Sequence, residues 1–447
     1  MENWKDEVEM HSDLTAVCLH NMRTEEKWEI LQKEHYNFYI MNFQSWIHLM
    51  YHRMDSAERK EHKAQKKQVL SDAMIEFDGD EVLVERAMRT WEKKNPKGMQ
   101  WDSERIQRFN ELGLRGLIID ESHETKNHQS KTFRSLQKIF SNIPFRQLLT
   151  GTPFGSTLLD IWSQYLLVDG GKTFGTYISH FRNKYFVDKG FWGPEWRVTK
   201  KGEEEIRNRL FSFAIRYEES EIGGLPPKTF RLTKYKLSPE QMRDYTALVE
   251  KESNRKSSIL DVTKNKAFAY RMICSGFIGK NGEIRYKKNP KLDALKDLLS
   301  ECVESHKVVI FTSFVYSTLI ISEMLKKEKI KHTLLDGSVK VKSEPQKAFQ
   351  TDESCRVIVV NTKTGAASIN LFAGTYCVFW ENDGSIITRK QAIKRIHRTG
   401  QERRCYFYDL VAEGTAEQSI YRSTIKGIDA FERIVDRGSL KQFLLGG

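Results

Sequence analysis

The 447-residue chain carries 72 Lys and Arg against 60 Asp and Glu, which gives a formal net charge of +12 (72 − 60) at pH 7. This length suits two or three domains with substantial cores. The excess of positive charge favours a polyanionic partner, although charge alone does not establish nucleic-acid binding. The six cysteines form no C-x-x-C pair and show no metal-ligand spacing, so no zinc site is implied.

The amino terminus lacks the pattern of a secretory signal. The longest uncharged run, Val308 to Ser322, contains several hydroxyl residues and is too short for a membrane span. Cysteines without pairing motifs fit reduced thiols. We therefore expect a soluble intracellular protein with no membrane partner.

Four short apolar runs alternate with helix-like segments in the first half of the chain, a pattern that predicts a parallel α/β sheet. The runs are residues 16–19, 38–41, 117–119 and 147–149. Residues 55–97 are crowded with charge and predict a helical insertion, assigned to 55–105, with a turn at Asp78-Gly-Asp80. A solvated helical hairpin is favoured there over a DNA-gripping element.

Acidic residues follow the third of these runs. Asp120 and Glu121 come directly after residues 116–119, and His123 lies two positions further on. Two acids at the carboxyl end of a buried strand can hold Mg²⁺ and orient a water molecule, although so short a motif also arises by chance. The fourth run ends in residues that suit a turn beside a nucleotide, namely Thr150, Gly151 and Thr152.

The stretch Gly170-Gly-Lys-Thr173 superficially matches a phosphate-binding loop. However, Leu166 stands where such a loop needs its first glycine, and the stretch follows the acidic motif instead of leaving the first strand. An ordinary surface turn is therefore predicted.

The second half of the chain begins with a non-helical segment, because Leu225-Pro226-Pro227 cannot form a helix. We assign residues 216–288 to a connector with a helical protrusion, with helices from 239 to about 277. From residue 289 the α/β alternation resumes and predicts a second, complete lobe over 289–436, followed by a tail at 437–447. The predicted strands are 307–312, 332–335, 356–360 and 376–380, and the predicted helices are 291–302 and 318–327.

A basic segment closes this lobe. Gln391, Arg395 and Arg398 recur at i, i+4 and i+7, which predicts that they share one helical face. Guanidinium groups so placed can grip a triphosphate. Residues 389–404 carry seven cationic side chains against the single acid Glu402, a density that favours an anionic neighbour over a solvated basic helix.

Sequence motifs of one known family occur along nearly the whole chain, in the order that the family has. In the first half they are Asn3-Trp4 with Glu7 (motif Ia), Tyr39 to Asn42 (Ib), Asp120 to His123 (II) and Leu149 to Pro153 (III). In the second half they are Val308 to Ser313 (IV), Asp336 to Ser338, Thr362 to Gly365 with Ile369 to Leu371 (V), and Gln391 to Gln401 (VI). Leu225-Pro-Pro-Lys228 and the His-Arg-x-Gly-Gln ending at Gln401 mark the branch. The sequence resembles the Swi/Snf-related branch of the superfamily II helicase-like ATPases.

The resemblance implies an α/β fold of two RecA-like lobes with parallel sheets, the first lobe spanning residues 1–215. It implies that ATP is hydrolysed with Mg²⁺ in the cleft between the two lobes. DNA, preferably duplex DNA, would lie across both lobes. Asp120 would hold Mg²⁺, Glu121 would polarise the attacking water, and Arg395 and Arg398 would reach the phosphates. The residues implied to bind nucleotide or couple it to DNA are His123, Thr150, Gly151, Thr152, Gln391 and Gly365. The residues implied to contact nucleic acid are Lys126, Thr362, Lys363 and Asn370, for which loop capping is the alternative role.

The sequence departs from the family in two places. The phosphate-cradling Gly-x-Gly-Lys-Thr loop precedes motif Ia in the family, whereas this sequence starts inside motif Ia. We therefore expect a truncated first lobe, from a longer or split enzyme or completed in trans by an upstream phosphate-loop piece. In motif V, Gly365-Ala-Ala-Ser368 replaces the usual Gly-Gly-x-Gly, and the added Cβ atoms are expected to weaken coupling.

The family resemblance favours a motor that translocates along duplex DNA over a strand-separating helicase. Three alternatives stay open from the sequence. The first is an incomplete or degenerate fragment that binds DNA without hydrolysing ATP unless an upstream piece complements it. The others are an RNA-directed enzyme and a protein-interaction scaffold.

Overall fold

The computed structural model describes residues 2–53, 56–77, 80, 83–85, 87–88, 90, 99–155, 157–190, 195–217, 223–253, 268–279, 282–339, 343–362 and 369–435. The chain divides into two compact units. The first unit comprises Met1–Pro153 with Leu159–Phe181, and the second comprises Phe154–Leu158 with Arg182–Gly447.

The strands of the first unit form separate two-stranded pairs. Strands β1 (Ala16–Cys18) and β2 (Phe38–Ile40) are parallel, and β3 (Tyr51–Arg53) and β4 (Met99–Trp101) are antiparallel. Strands β5 (Gly116–Ile119) and β6 (Phe145–Leu148) form a second parallel pair. The four predicted strands are therefore present, but the single parallel sheet expected for the first half is not formed within the described residues.

Besides the helical residues 83–85, 87, 88 and 90, seven α-helices lie within the described residues of the first unit. They are α1 (Glu2–His11), α2 (Thr24–Lys33), α3 (Phe43–Met50), α4 (Ser56–Glu76), α5 (Ser103–Asn110), α6 (Lys131–Ile139) and α7 (Asp160–Asp169). Helix α4 lies in the charged insertion, whereas Asp78 and Gly79 of the predicted turn at Asp78-Gly-Asp80 lie outside the described residues. A further helix, α8 (Ile178–Tyr185), crosses the boundary between the units.

Local sequence explains why α6 forms where it does. The Ser130 hydroxyl caps the helix by accepting a hydrogen bond from the Phe133 backbone N–H at 3.1 Å. Phe133, Leu136 and Ile139 recur at helical spacing and are buried. Trp46 of α3 donates from Nε1 to the Ser135 hydroxyl at 2.8 Å, so the two helices are joined by a buried hydrogen bond as well as by packing.

The second unit contains a six-stranded sheet in which every pairing is parallel, in the order β13-β14-β12-β15-β16-β9. Its strands are β9 (Lys228–Tyr235), β12 (Lys307–Thr312), β13 (His332–Leu335), β14 (Val357–Asn361), β15 (Gly374–Phe379) and β16 (Cys405–Ala412). Two small antiparallel pairs lie outside this sheet, β7 (Phe186–Asp188) with β8 (Trp196–Val198) and β10 (Phe277–Ile278) with β11 (Ile284–Arg285). The predicted α/β class is confirmed.

Helices cover both faces of this sheet. They include α11 (Pro290–Cys302), α12 (Val315–Lys327), α13 (Ser343–Thr351), α14 (Ile386–Ile396) and α15 (Ala416–Val435), preceded by α9 (Lys200–Leu210) and α10 (Pro239–Ser253). Every residue of β12 and β14 is buried. Val308 and Ile310 pack on one face while Val309 and Phe311 pack on the other, which is the two-sided burial typical of a parallel sheet.

The boundaries of the second unit differ from the predicted ones. Strand β9 lies inside the predicted connector, 216–288, yet it pairs with β16 along its whole length, from Lys228 opposite Cys405 to Tyr235 opposite Ala412. Helix α9 lies within the predicted first lobe but contacts α15. Pairing between strands distant in sequence decides these assignments, and linear patterns do not show it. Within the part of the chain that the structure describes, no helix is both long and apolar enough to span a membrane.

Candidate nucleotide and nucleic-acid site

The acidic motif and the Thr-Gly-Thr motif lie side by side in the first unit. They follow the adjacent parallel strands β5 and β6, whose carboxyl ends meet at one edge. The backbone ladder continues past the strands, because Leu149 N donates to Ile119 O at 2.8 Å and Ser122 N donates to Leu149 O at 2.9 Å. The structure therefore brings together two groups of site residues that are about thirty positions apart.

Glu121 adopts an unusual backbone conformation. Its φ of 48° and ψ of 48° place a non-glycine residue in the left-handed region. Such a conformation costs about 1–3 kcal/mol and persists only when surrounding contacts hold it. Here the Glu121 carboxylate contacts the imidazole of His123, with Oε2 3.2 Å from Nδ1.

His123 is the centre of a buried polar network. Only 3% of the residue is exposed. Its Nδ1 also lies 3.3 Å from the Thr150 hydroxyl, and its Nε2 lies 3.5 Å from Oε1 of Glu124. Thr150 Oγ1 in turn accepts a hydrogen bond from Thr152 N at 3.1 Å. The network thus connects the acidic motif to the Thr-Gly-Thr motif.

The carboxylates determine the protonation state of His123. Burial disfavours the charged imidazole, but the hydrogen bonds that it donates to the Glu121 and Glu124 carboxylates outweigh burial and raise the pKa of His123 to about 9. Protonation makes both ring nitrogens donors at neutral pH. The same contact with His123 lowers the pKa of Glu124.

Asp120 presents an exposed carboxylate next to this network. Its Oδ1 accepts from Glu121 N at 2.8 Å, and its Oδ2 accepts from Nε1 of Trp4 at 3.0 Å. A solvent-accessible carboxylate suits Mg²⁺, which is commonly held by one or two carboxylates together with waters and substrate phosphates. The donor chemistry of Asp120 therefore fits the predicted metal.

Side chains of α7 form hydrogen bonds with the turn that follows β5. The Ser122 hydroxyl donates to Oε1 of Gln164 at 2.9 Å, and Gln164 Nε2 donates to the Asp160 carbonyl at 2.9 Å and to the Pro153 carbonyl. Ser163 donates to the backbone carbonyl of Lys126 at 2.8 Å. Sequence reasoning missed Gln164 and Ser163, because a polar residue on a helix gives no signal of the loop it will meet.

The basic segment of the second unit does not form one continuous helical face. Helix α14 ends at Ile396, and His397 leaves the helical region with φ −91° and ψ 86°. The expectation that Arg398 shares a helical face with Gln391 and Arg395 was therefore wrong. Nε2 of His397 lies 2.7 Å from the Pro226 carbonyl, an interaction that helps to hold the chain away from the helix. Arg398 is exposed in the turn that follows.

Two polar residues of this segment have structural roles. Arg389 is buried and forms a bidentate pair with Asp409, at 2.6 and 2.7 Å, while it also donates to Asn382 Oδ1 at 2.8 Å. Gln401 Nε2 donates to the carbonyls of Phe372 at 2.8 Å and Gly374 at 3.0 Å. Arg389 therefore has internal partners, and Arg403 also has one, because its Nη2 donates to the Ala373 carbonyl at 3.3 Å. Both contacts weaken the inference of an external anion from charge density.

The predicted nucleic-acid residues are placed only in part. Thr362 is buried and donates to the Thr312 carbonyl at 3.1 Å, so its hydroxyl serves the loop-capping role that the sequence left open. Asn370 Oδ1 is buried with no hydrogen-bond partner among the described residues. Lys363 and Gly365, with the altered motif V glycines, lie outside the described residues. The nucleic-acid roles of Lys126, Thr362, Lys363 and Asn370 and the nucleotide role of Gly365 stay predictions.

The Gly170-Gly-Lys-Thr stretch is a structural turn, as predicted. The Asp169 carboxylate accepts backbone hydrogen bonds from Gly171 at 2.8 Å, Lys172 at 3.1 Å and Thr173 at 3.0 Å. Gly170 and Gly171 both have positive φ, 71° and 86°. The N–H groups that a phosphate would need are therefore bound to the chain's own carboxylate.

One side-chain group was not indicated by cysteine spacing. Ligand atoms of Glu2, Cys18 and His20 lie within 4.8 Å of one another. Burial and the neighbouring Glu2 carboxylate raise the pKa of Cys18, which favours the protonated thiol. The group forms because residues of β1 meet the start of α1, a contact that spacing along the chain does not reveal.

Family models match both halves of the chain. The SNF2-related domain covers residues 1–275, and the helicase conserved C-terminal domain covers residues 290–400. The chain belongs to the SNF2-related family. This confirms the resemblance inferred from the ordered motifs.

Several curated proteins are similar to this SNF2-related chain. An uncharacterised ATP-dependent helicase of Mycoplasma genitalium is 27% identical over 317 residues, 68% of this chain and 29% of that protein. The chromodomain-helicase-DNA-binding protein 1-like of Danio rerio is 25% identical over 338 residues, 72% and 32% of the two chains. The DNA repair and recombination protein RAD54-like of Drosophila pseudoobscura pseudoobscura is 25% identical over 354 residues, 69% and 44%. The chain thus spans less than half the length of each of these relatives.

Among solved structures, the Sulfolobus solfataricus SWI2/SNF2 ATPase core in complex with dsDNA matches 98% of this chain and 81% of its own, at 21% identity. The TM-score is 0.40. The family assignment follows from the two domain matches.

Proposed function

We propose that this chain is the motor part of an ATP-dependent DNA translocase, which hydrolyses ATP with Mg²⁺ while it tracks on duplex DNA. The observation that carries the proposal is the network from Glu121 through His123 to Thr150, in a chain of the SNF2-related family. It places a candidate base at the end of one strand and connects it to the next strand. Similar proteins that are named as an ATP-dependent helicase and a chromodomain-helicase-DNA-binding protein support the same activity.

In this proposal the residues of the first unit have distinct tasks. Bound Mg²⁺ supplies charge neutralisation to the phosphates, and Asp120 offers it a carboxylate. Glu121 orients the attacking water, because its contact with His123 fixes the direction of the carboxylate. Thr150 and Thr152, with Gly151 between them, transmit a conformational change at the Glu121 carboxylate to the neighbouring loop.

In this proposal the second unit would supply positive charge to the phosphates of ATP. Arg395 and Arg398, with Gln391, neutralise phosphate charge, with Arg398 acting from the exposed turn after α14. Lys126, Lys363 and Asn370 contact the DNA backbone, and these contacts position the protein without reading base sequence. Thr362 supports its loop from inside.

The test uses the product of the whole reading frame, assayed for ATP turnover alone, with duplex DNA and with RNA of equal length. Glu121→Gln is expected to lower DNA-stimulated turnover about 100-fold or more, the usual effect of losing a positioned base. Glu124→Gln is the matched control, because both acids contact His123 and both changes remove one charge. Glu124→Gln should stay within about threefold of wild type.

Full turnover in Glu121→Gln would refute the assignment of the base. Stimulation by RNA but not by duplex DNA would instead support the RNA-directed alternative.

A second candidate function is DNA binding without hydrolysis. It is supported by the turn at Asp169, since the Gly-Gly-Lys-Thr stretch at residues 170–173 uses three of its N–H groups internally. Adding a segment that carries Gly-x-Gly-Lys-Thr, fused upstream or supplied in trans, separates the candidates. A binding protein gains no turnover from either, whereas an incomplete motor does.

A further inference from the structure

Three side chains with metal-binding atoms meet where α1 packs against β1 in the first unit. Ligand atoms of Glu2, Cys18 and His20 lie within 4.8 Å of one another. Glu2 begins α1, Cys18 ends β1, and His20 lies two residues further along the chain. Among the residues that the structure describes, no other group of three His, Cys, Asp or Glu side chains meets this condition.

The extended chain at β1 explains why Cys18 and His20 lie on one side. Leu19 N donates to the Ile40 carbonyl at 2.8 Å, so the parallel ladder with β2 continues past the end of β1. Side chains alternate along an extended chain, which places residues 18 and 20 on one face and the fully buried Leu19 on the other. Helix α1 adds the Glu2 carboxylate to the first of these faces.

The imidazole of His20 has bonding capacity that is not used. The backbone carbonyl of this residue accepts from the Ser45 hydroxyl at 2.8 Å, but its ring Nδ1 is buried and has no hydrogen-bond partner within the described residues. In His332, by contrast, Nε2 lies 2.8 Å from the Ser322 hydroxyl and Nδ1 lies 2.9 Å from the Ile330 carbonyl. A buried polar atom without a partner points to a missing water or ion.

The charges of the group suit a divalent cation. A thiolate and a carboxylate supply two negative charges, and a neutral imidazole adds a lone pair without charge. Lys5 of α1 lies close enough to act on the Cys18 thiol and would oppose a bound cation, but its ammonium is 3.8 Å from the Glu9 carboxylate. Cys18 and His20 are both partly exposed, so an ion in solution can reach them.

We propose that Glu2, Cys18 and His20 bind a Zn²⁺ ion, through a carboxylate oxygen, the sulfur and a ring nitrogen, with water as the fourth ligand. The Cys18 thiol releases its proton to solvent as the sulfur–zinc bond forms. Sulfur and nitrogen ligands select Zn²⁺ over Mg²⁺, which prefers oxygen. Two ligand atoms of one Zn²⁺ lie about 3–4 Å apart, so small movements of the side chains complete the site.

The bound ion would join the start of α1 to the end of β1. This role is separate from the Mg²⁺ proposed at Asp120 and does not depend on ATP hydrolysis. All measurements below are made without nucleotide, so their outcome is independent of the proposed motor activity.

The first experiment titrates the full chain with Co²⁺, after metal has been removed by a chelator and with a non-chelating reductant present. Co²⁺ replaces Zn²⁺ and makes the ligands visible. Wild type should show the charge-transfer band of a cobalt–thiolate bond and the strong visible bands of a tetrahedral ion, complete at one equivalent. Cys18→Ala should lose the charge-transfer band. Cys355→Ala, which removes a buried cysteine of the second unit, is the matched control and should keep it.

The imidazole ligand is tested in the same titration. His20→Gln should weaken Co²⁺ binding at least about tenfold, whereas His35→Gln, which changes an exposed histidine of the same unit, should bind as wild type does. Glu2→Gln should weaken binding as well. Circular dichroism without metal checks that each variant is folded, and His20→Gln decides the question if Cys18→Ala is not folded.

The absence of a cobalt–thiolate band in wild type would overturn the proposal, and so would an unchanged band in Cys18→Ala or unchanged affinity in folded His20→Gln. A large excess of Mg²⁺ should leave the bands as they are. Their loss on addition of Mg²⁺ would show an oxygen site instead of the one proposed.

The second experiment locates the effect of Zn²⁺ itself. Hydrogen exchange of peptides from α1 and β1 should become slower on addition of one equivalent of Zn²⁺ in wild type and in His35→Gln, but not in His20→Gln. Peptides from β12 and β14 of the second unit should not change. Equal slowing in His20→Gln, or no slowing in wild type, would contradict a Zn²⁺ ion between these elements.

Discussion

The parallel strands of the two units have the same hydrogen-bond pattern but very different surroundings. In the second unit, β12 and β14 lie inside a six-stranded sheet and every one of their residues is buried. In the first unit, β5 and β6 form a two-stranded pair, and Ile118 is 45% and Phe145 65% exposed. A strand pair alone cannot cover its apolar faces, so sheet width, not strand composition, decides burial.

The carboxyl ends of the strands also differ between the units. In the second unit a buried acid, Glu381, holds the end of β12 by accepting from Ser313 N at 2.7 Å and from the Ser275 hydroxyl at 2.7 Å. In the first unit the partly exposed acids Glu121 and Glu124 hold the end of β5 through His123. The candidate catalytic site therefore depends more on titratable contacts than the sheet of the second unit does.

The largest expected effect is on the buried ion pair of the second unit. Asp409→Ala leaves the Arg389 guanidinium buried without its bidentate partner and should destabilise this unit by about 3–5 kcal/mol. Glu413→Ala, which breaks an exposed contact with Lys234, should cost less than about 1 kcal/mol. Hydrogen exchange of peptides from β12 and β14 would measure both. Equal effects would contradict the distinction between buried and surface pairs.

A matched pair of isoleucines tests the comparison of the sheets directly. Ile310→Ala in β12 removes a fully buried side chain and should cost about 2–5 kcal/mol. Ile118→Ala in β5 removes a half-exposed one and should cost less than about 1.5 kcal/mol. Exchange of peptides from each strand reports on the two units separately. A larger loss from Ile118→Ala would show that β5 is covered in solution.

The pH dependence of the first unit follows from His123. Its folded pKa of about 9 lies above the unfolded value of about 6.5, so the stabilisation is complete below about pH 6.5 and is lost as pH rises through about 9. We expect the first unit to lose about 1–3 kcal/mol between pH 6.5 and 10. His123→Gln should remove this slope in hydrogen exchange of β5 and β6. An unchanged slope in the variant would assign the titration to another group.

The smallest expected effects are at helix caps, where the units should behave alike. Ser130→Ala removes the cap of α6 in the first unit, and Ser385→Ala removes the cap of α14, where the hydroxyl accepts from Thr388 N at 3.1 Å. Each should cost about 1 kcal/mol, because capping depends on one local hydrogen bond and not on sheet width. A difference of more than about 1 kcal/mol between the two variants would show that helix caps also depend on the wider unit.

Much of the fold was predictable because the second unit buries its strands completely. The predicted strands at 307–312 and 332–335 match β12 and β13, and the predicted helix at 291–302 matches α11 within one residue. Continuous apolar runs of this length have few other structures open to them. Strands β9 and β16 were missed. Lys, Arg and Thr interrupt the apolar residues of β9, Tyr and Asp interrupt those of β16, and the two strands pair with each other.

The candidate site was predictable to a smaller extent. Asp120, Glu121 and Thr150 were recognisable because two acids and a hydroxyl follow apolar runs, and parallel strands bring such ends together. The sequence did not indicate the left-handed backbone of Glu121, the raised pKa of His123 or the hydrogen bonds of Gln164. Arg398 was placed on a helical face because periodicity cannot show that the helix ends at Ile396.

The sequence by itself determined the family, the α/β class and the identity of the candidate acids and cations, because ordered motifs and apolar periodicity are properties of the linear chain. Tertiary structure alone decided which of these charges are used internally. Arg389 pairs with Asp409, and the backbone of the Gly170 turn binds the Asp169 carboxylate. The physical reason is that a charge is neutralised or left available by its neighbours in space, and those neighbours come from distant parts of the chain.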